Sequence, residues 1–167
     1  SGEIKEAPGP LTKAVLEQGT SIGRNGLGVI YTWAGGNGLN NDDNSNYDGY
    51  ANSIHTISIG AVNNLGTQAW YSESGANLIV VAPLGGGTRG ITTTITDGNY
   101  TNNFGGTSSA CPLVAGVVAL MLEANPHLGW RDVQEILLHS ATKVDANDND
   151  WITNQAGIFF NHKYGAG

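Results

Sequence analysis

Three apolar runs constrain the fold of this chain more than any other feature. They occupy residues 27–34, 53–62 and 77–87 and are rich in Val, Ile, Leu and aromatic residues. Short apolar runs without alternating polar residues are typical of strands that are buried on both faces, as in parallel sheets. Helical patterns separate and follow these runs. The sequence therefore predicts an α/β fold, with a mostly parallel sheet and flanking helices.

The remaining elements follow from local patterns. We expect a short helix over 10–20, which begins at Pro10 and has Gly19 just past its end. The segment 91–101 alternates and contains Asp97-Gly98, which predicts a hairpin. Residues 108–125 are apolar on nearly all sides and predict a central buried helix. Residues 130–141 are expected to form an amphipathic helix with Val133, Ile136 and Leu137 on one face. Residues 142–167 are expected to form a loop-rich tail.

Composition excludes several classes of protein. The 167 residues are enough for one domain, and no repeat or linker divides them. Seven Lys+Arg against fourteen Asp+Glu give a net charge of -7, so we expect no nucleic-acid partner. No apolar run approaches 18 residues, so no membrane span is expected. One cysteine, Cys111, excludes an internal disulfide. Abundant Gly and Asn with few Lys and Glu indicate a secreted, cell-surface or periplasmic protein.

The segment GGTSSACP (105–112) is the most specific motif in the chain. A serine at the start of an apolar helix, here Ser108, meets free backbone N–H groups and the positive end of the helix dipole, which stabilise negative charge on a substrate carbonyl. The glycines before it allow a sharp turn, and Pro112 suits a first helical turn. The alternative interpretation is that Ser108 only caps the helix. The G-x-S-x-G pattern of α/β-hydrolases is absent.

This segment and its continuation to 141 resemble the nucleophile region of subtilisin-like serine proteases, most closely the kexin/furin branch. Thr107, Ser108 and Pro112 match that branch, as do L-E-A-N (122–125) and W-R-D (130–132). Further matches occur in the same order along nearly the whole chain, in GRNGLGVIYTWAGGNG (23–38), NYDGYANSIHTISIGAV (46–62), WYSE (70–73), DW (150–151) and HKYGAG (162–167).

The resemblance assigns roles in peptide-bond hydrolysis. Ser108 is implied as the nucleophile and Asn37 as the oxyanion-hole asparagine, beside the backbone N–H of Ser108. Trp33, Ala34 and Gly35 are implied as the strand that pairs with the substrate, with Gly35 keeping the pocket wall low. Composition alone would instead favour the interpretation of Asn37 as a turn residue between glycines.

The resemblance also implies a calcium ion and a preference for basic residues. Asp43 and Glu73 correspond to calcium ligands near the substrate pocket, and hard carboxylate oxygens suit Ca²⁺. Asp48 corresponds to an acid at the base of that pocket, which would select Arg or Lys before the scissile bond. The alternatives are solvated loop acids for Asp43 and Glu73, and an ordinary turn at Asp48-Gly49.

Two parts of the family pattern are missing. The family needs an Asp in an Asp-x-Gly motif and a His in a His-Gly-Thr motif, both before the serine. Neither occurs in this chain, and the four histidines (His55, in a predicted core strand, His127, His139 and His162) lie where the family uses none for catalysis. We therefore expect residues 1–167 to be the C-terminal portion of a catalytic domain. An exposed sheet edge and apolar face should then bind a partner, above all the N-terminal portion of the domain.

Three functions remain open from the sequence. The first is a serine endopeptidase, inactive as this chain alone because an unassisted serine is a weak nucleophile. The second is a non-catalytic, calcium-stabilised module that binds proteins. The third is a cysteine-dependent activity at Cys111, on the expected first helical turn, where a thiol pKa can be lowered.

Overall fold

The fold is built on a three-stranded parallel sheet, and a computed structural model describes residues 3–83 and 89–167. The strands are β1 (Tyr31–Ala34), β2 (Thr56–Val62) and β3 (Leu78–Pro83), in the order β1-β2-β3. All seven residues of β2 are buried, as expected for a central strand without polar alternation. The predicted parallel α/β architecture is confirmed. The end of the third predicted run, at 84–87, lies outside the described residues.

The first strand is shorter and more exposed than predicted. The apolar run begins at Leu27, but Gly28 has a positive φ of 82° and its N–H donates to the carbonyl oxygen of Gly23, so the chain turns there. The four residues of β1 are only half-buried, because β1 pairs with β2 on one side and lies at the edge of the sheet. The prediction of a strand buried on both faces was therefore wrong for β1.

The first helix, α1 (Pro10–Ile22), extends beyond the predicted end. Gly19 lies inside it and not after it, because the ring of Tyr31 fills the space where a Cβ of residue 19 would stand. The N–H of Gly23 closes the helix on the carbonyl oxygen of Gly19. His55 lies just before β2 and not in it. Its Nδ1 is 2.8 Å from Oγ1 of Thr20, which docks α1 beside the sheet.

The second helix, α2 (Thr107–Ala124), packs across all three strands. Ala110, Val114 and Val118 join the core formed by β2 and β3. Beside this buried stripe lie apolar residues that are exposed, Leu113, Val117 and Leu120 among others, so the prediction of a helix buried on all sides was wrong.

Length and composition alone would allow α2 to cross a membrane, since its mean hydropathy is 1.5 over 18 residues. This differs from the expectation that no run is long enough. A helix packed on a sheet in the core of a protein has the same composition, and the contacts of α2 with all three strands are of that kind.

The third helix, α3 (Trp130–Ser140), is amphipathic as predicted, and Asp132 accepts a hydrogen bond from the N–H of Gly129 at its start. Val133 and Leu137 are buried, but Ile136 is exposed, so it does not share their face. The predicted hairpin is present as β4 (Ile91–Thr94) and β5 (Tyr100–Phe104).

The tail is more ordered than the predicted loops. It contains an antiparallel pair, β6 (Ile152–Thr153) and β7 (Phe159–Phe160). Its end follows the outer edge of β3, where the N–H of Ala166 donates to Ile79 and the N–H of Val81 donates to Gly167. Sequence patterns alone missed this, because the partner of the tail is a strand some 80 residues away.

Candidate active site

The serine of the GGTSSACP motif lies at the exposed start of α2. Gly106 is the N-cap, with φ 80° and ψ 161°, and the helix begins at Thr107. Ser108 is therefore the second helical residue, and its side chain is exposed. The capping interpretation is wrong for Ser108, since another residue occupies the cap. The first-turn N–H groups and the helix dipole lie beside its hydroxyl.

An earlier start of the helix also changes two neighbouring residues. Pro112 is inside the helix and not in its first turn. Because proline has no N–H, the carbonyl of Ser108 lacks its usual helical donor. Cys111 is the fifth helical residue, half-buried and packed against the core. Its place beyond the first turn and among apolar side chains fits a small hydrophobic residue better than a reactive thiol.

Asn37 is held against the start of this helix. It follows β1 after two glycines, and its Oδ1 accepts hydrogen bonds from the N–H of Thr107, at 2.7 Å, and from Oγ1 of Thr107, at 2.9 Å. Because the Thr107 amide can only donate, the oxygen of the Asn37 side chain must be on that side. The side-chain NH₂ is then directed away from Thr107, and the residue is exposed. The fold thus brings Asn37 beside Ser108, 71 residues later in the chain.

Thr107 and Tyr71 belong to this arrangement, although no sequence pattern assigned either of them a role of its own. The Thr107 hydroxyl also accepts the N–H of Gly36, at 3.2 Å, so it binds two consecutive residues at the start of the loop that follows β1. The Tyr71 hydroxyl oxygen accepts the N–H of Gly106, at 3.1 Å. Thr107 could have been found from its place next to Ser108, but nothing in the W-Y-S-E segment indicates the contact of Tyr71.

Two carboxylates lie under the same loop. Glu73 is 2% exposed, and its Oε1 accepts the N–H of Gly38 at 3.0 Å. Among the described residues, Oε2 of Glu73 and Oδ1 of Asp43 are buried without a hydrogen-bond partner. A Cβ on Gly36 would overlap the Glu73 carboxylate, and one on Gly38 would overlap that of Asp43. Glu73 is therefore no solvated loop acid.

The pKa of Glu73 is raised above its ordinary value. Burial is the main cause, the Gly38 hydrogen bond acts against it, and the negative charge of Asp43 adds to the increase. Unpartnered buried oxygens of two carboxylates form the donor set that a hard cation such as Ca²⁺ prefers. In the described ranges no group of three His, Cys, Asp or Glu residues is assembled, so backbone carbonyls or water would complete any cation shell at this position.

Asp48 lies in a separate acidic recess. Its Oδ1 accepts the N–H groups of Tyr50, at 2.8 Å, and Ala51, at 3.3 Å, so the predicted turn is present. Burial acts to raise the pKa of Asp48, hydrogen bonds to its carboxylate outweigh burial, and the pKa is lowered. A cavity next to it is lined by Glu6, Ala7, Gly9, Asp48 and Tyr50, so two acids and no base are among its described lining residues.

The predicted substrate strand borders this recess. The Trp33 ring stacks on that of Tyr50, with centroids 5.0 Å apart. Gly35 is buried, and a Cβ there would come within 2.9 Å of Leu78 Cδ2 and 3.0 Å of the Ile59 carbonyl oxygen. Close packing against β2 thus already requires a glycine at position 35. Ala34 ends β1 at the sheet edge.

None of the four histidines is hydrogen-bonded to Ser108 in the part of the chain that the structure describes. The His55 ring lies against Trp130, with centroids 5.7 Å apart. His139 is exposed and 3.5 Å from Glu135, and the His162 ring contacts that of Phe160. His127 follows α2, with its N–H bonded to Asn125. The described site holds the exposed Ser108 hydroxyl and hydrogen-bond donors but no base.

Comparisons with known proteins place this geometry in context. The model of the Subtilase family, Peptidase S8, matches residues 1–167. The chain is 44% identical to human proprotein convertase subtilisin/kexin type 7 over 99% of this chain and 22% of that protein. It is 41% identical to human type 5, over 99% of this chain and 9% of that protein. For Furin-1 of Xenopus laevis the identity is 40%, over 99% of this chain and 22% of that protein.

Solved structures match the fold. A serine protease of Aeromonas sobria superposes on all of this chain and 40% of its own, with a TM-score of 0.88 at 24% identity. A protease from Pseudoalteromonas arctica matches 82% of this chain and 41% of its own, with a TM-score of 0.65 at 28% identity. The chain spans less than a quarter of the length of each of these three relatives. With its whole length matched by the family model and its fold shared with these proteases, the chain belongs to the subtilase family of serine peptidases.

Proposed function

We propose that this chain carries the nucleophile and the oxyanion-binding groups of a serine endopeptidase. The observation that supports the proposal most is the joint placement of Ser108 and Asn37. Ser108 is exposed at the start of α2, and the two Thr107 hydrogen bonds direct the Asn37 NH₂ away from the helix. Donors fixed in advance can stabilise charge that grows on a carbonyl oxygen in the transition state.

In this proposal Ser108 Oγ adds to the carbonyl carbon of the scissile peptide bond while its proton passes to a base. The resulting oxyanion accepts hydrogen bonds from the Asn37 side chain and the Ser108 N–H. Its collapse breaks the C–N bond, and the base returns the proton to the leaving amine. Water then attacks the acyl-enzyme by the same route and releases Ser108.

The base and its orienting acid come from outside the described residues. We propose that the N-terminal portion of the same catalytic domain supplies them, as the family order of Asp, His and Ser requires. The exposed apolar residues of α2 form a surface on which such a portion can pack. Residues 1–167 then form the C-terminal portion of the domain and are inactive alone.

Specificity for a basic residue before the scissile bond is part of the proposal. The recess beside the Trp33–Tyr50 stack is lined by Glu6 and Asp48, whose negative charges favour a guanidinium or ammonium group. Within the described sheet, β1 pairs only with β2, so the outer edge of Trp33 and Ala34 can bond to an extended peptide. The substrates are accordingly polypeptides cleaved after Arg or Lys.

Calcium is the proposed cation of the site under Asn37. Asp43 and Glu73 would hold it, and their buried, unpartnered oxygens support this assignment. A bound ion would neutralise two adjacent carboxylates and stiffen the loop between Gly36 and Asp43. Calcium-dependent folding and a Gly- and Asn-rich composition both suit a protein of the secretory pathway or the cell exterior.

Peptide hydrolysis tests the proposal directly. We would assay a longer protein that contains these residues together with the preceding part of the domain. Peptides with Arg or Lys before the scissile bond should be cleaved, and matched peptides with Gln should not. Ser108→Ala should abolish cleavage, and Cys111→Ser should preserve it. If Ser108→Ala retains activity, or no peptide is cleaved, the endopeptidase proposal fails and a non-catalytic binding module becomes the better account.

A further inference from the structure

Tyr71 lies between the two segments that carry the proposed catalytic groups. It follows β2 in the segment 70–73, is 7% exposed, and packs within the apolar core. The ring of Trp70 meets it edge-on, with centroids 5.2 Å apart. Its ring is thus fixed by packing, and its hydroxyl is in a defined place.

Two hydrogen bonds connect Tyr71 to these segments. Its hydroxyl oxygen accepts the N–H of Gly106 at 3.1 Å, immediately before α2. Its carbonyl oxygen accepts the N–H of Leu39 at 3.2 Å, in the loop that carries Asn37. A single buried residue therefore connects the turn before Ser108 with the loop of Asn37.

The Gly106 turn is where a small shift would have the largest effect. Gly106 has φ 80°, and a Cβ there would be 3.4 Å from the Asn37 side chain, so the turn and Asn37 are in close contact. The N–H of the next residue, Thr107, donates to Asn37. A rotation of the peptide group at Gly106 would displace Thr107 and Ser108 relative to the Asn37 amide.

The hydroxyl is suited to this task because its oxygen is held by a rigid, buried ring and accepts the N–H of Gly106. A displacement of about 1 Å in a catalytic group can cost about a hundredfold in rate, so such an anchor is kinetically important.

We propose that Tyr71 is a positioning residue for catalysis. It fixes the position of the Ser108 turn relative to the Asn37 loop through its hydrogen bonds with Gly106 and Leu39. The proposal rests on the proposed serine endopeptidase function. Tyr71 does not touch the substrate, and it acts through the Gly106 backbone.

The chain offers a matched control in Tyr164. That residue is 1% exposed, and its hydroxyl oxygen also accepts a backbone N–H, from Gln68, at 3.1 Å. Its hydroxyl donates to Asp145, which belongs to the tail. Tyr164→Phe thus removes a similar buried hydroxyl without touching the Ser108 turn.

The test compares Tyr71→Phe and Tyr164→Phe in the same longer protein that is used for peptide hydrolysis. Both variants should lower Tm, since each leaves a buried N–H without its acceptor. Tyr71→Phe should lower kcat about ten- to a hundredfold with little change in KM. Its rate of labelling by a fluorophosphonate should fall to the same extent. Tyr164→Phe should keep the kcat and labelling rate of the wild type.

Equal kcat values for Tyr71→Phe and Tyr164→Phe would overturn the positioning role, while an inactive wild type would instead overturn the proposed function. A measurement without any variant covers the case in which Tyr71→Phe fails to fold. In the wild type, the backbone amide of Gly106 should exchange with deuterium more slowly than that of the exposed residue Asn102. Equal exchange rates would show that the Tyr71–Gly106 hydrogen bond is not maintained, and the proposal would fail.

Discussion

In the proposed function, Asn37 serves the fold with one side-chain atom and the reaction with another. Its oxygen holds the first residue of α2 through two hydrogen bonds from Thr107, and its nitrogen is left for another acceptor. An aspartate at this position would keep the acceptor and lose the donor. Replacing the side-chain nitrogen of Asn37 by an oxygen therefore separates its role in the fold from its proposed role in the reaction.

Asn37→Asp should keep the fold and lose catalysis. The carboxylate still accepts both Thr107 hydrogen bonds, so Tm should change little. Loss of the donor, together with a negative charge facing the oxyanion, should lower kcat by at least about 10²–10³, the cost of one oxyanion donor in a subtilisin. Asn40→Asp adds the same charge at an exposed residue of the same loop and serves as the control. A kcat near that of the wild type would remove Asn37 from the mechanism.

Glu73 and Asp43 are the residues on which the proposed cation site rests. Two carboxylates approach each other there, and the glycines at 36 and 38 leave the necessary space. The pKa of Glu73 is raised, mainly by burial, so its ionised form destabilises the folded chain unless a cation compensates.

Glu73→Gln should therefore raise Tm in a chelator and abolish the increase in Tm that calcium causes in the wild type. Differential scanning fluorimetry with calcium or with EDTA measures both effects. Glu123→Gln, which removes an exposed acid from α2, should leave the calcium response intact. A calcium response that survives in Glu73→Gln would contradict the assigned site.

At this scale the sequence could name Ser108 and Asn37 but could not show how they meet. Both are common residue types in a Gly- and Asn-rich chain, and only the resemblance to subtilases distinguished them from a cap and a turn. The contacts of Thr107 and Tyr71 depend on residues about 35 to 70 positions away. No local pattern contains that information.

Among the elements, α2 has two different apolar faces. Val114 is 6% exposed and lies in the core, while Val117, less than one turn later, is 49% exposed. An apolar side chain contributes stability in proportion to the area it buries. The inner face therefore stabilises this chain, and the outer face is available to the N-terminal portion of the proposed domain.

Val114→Ala and Val117→Ala separate the two faces. In the 167-residue chain, Val114→Ala should lower the free energy of unfolding by about 1.5 to 3 kcal/mol. Val117→Ala should change it by less than about 0.5 kcal/mol, as for most surface substitutions. Urea denaturation of both variants measures the difference. Equal losses would mean that the outer face is buried in solution, against a neighbour of its own.

The errors at this scale share a cause. The patterns of β1 and α2 predict burial because both segments are apolar throughout. Whether each face is covered depends on the neighbouring layer, and β1 is an edge strand in this sheet. Helix ends were missed at Gly19 and Thr107 because tertiary contacts, with Tyr31 and Asn37, override local signals.

A cluster of charged and polar residues attaches the C-terminal tail to the rest of the molecule. Lys163 bonds to Asp148 at 2.6 Å and to Asp150 at 2.7 Å, and Asn161 donates to Asp148 at 2.8 Å. In the same turn, the carbonyl oxygen of His162 accepts a hydrogen bond from the N–H of Gly75. This cluster thus attaches the tail to the loop that carries Glu73.

Asp148 gives the chain a defined loss of stability in acid. The Lys163 hydrogen bond is the main cause that lowers its pKa below 3.8, and partial burial acts the other way. A lowered pKa contributes stability above the unfolded value that is lost as the pH falls through the folded value. The wild type should have a higher free energy of unfolding than Asp148→Asn, and this difference should be constant near neutral pH. Below about pH 4 the difference should disappear.

Urea denaturation across about pH 3 to 7 follows that gap through the ordinary carboxyl range. Asp150→Asn is the control, because that carboxylate is 59% exposed and its contact with Lys163 is screened by solvent. Its gap should be smaller at every pH. A gap for Asp148→Asn that widens in acid would mean that the folded chain raises the pKa of this carboxyl instead of lowering it.

At the scale of the molecule, composition and pattern predicted the parallel α/β fold, and the family followed from motifs spread along the chain. The tail could not be predicted, because its short strands pair within loops of mixed polarity and its end lies on β3.

The central claim concerns Ser108 as an activated nucleophile. The most direct measurement is the intact mass of the longer protein after reaction with a fluorophosphonate, followed by peptide mapping. We predict one label, on Ser108, and none in Ser108→Ala or in the isolated 167-residue chain. An unlabelled longer protein, or a label on another residue, would show that Ser108 is not an activated nucleophile.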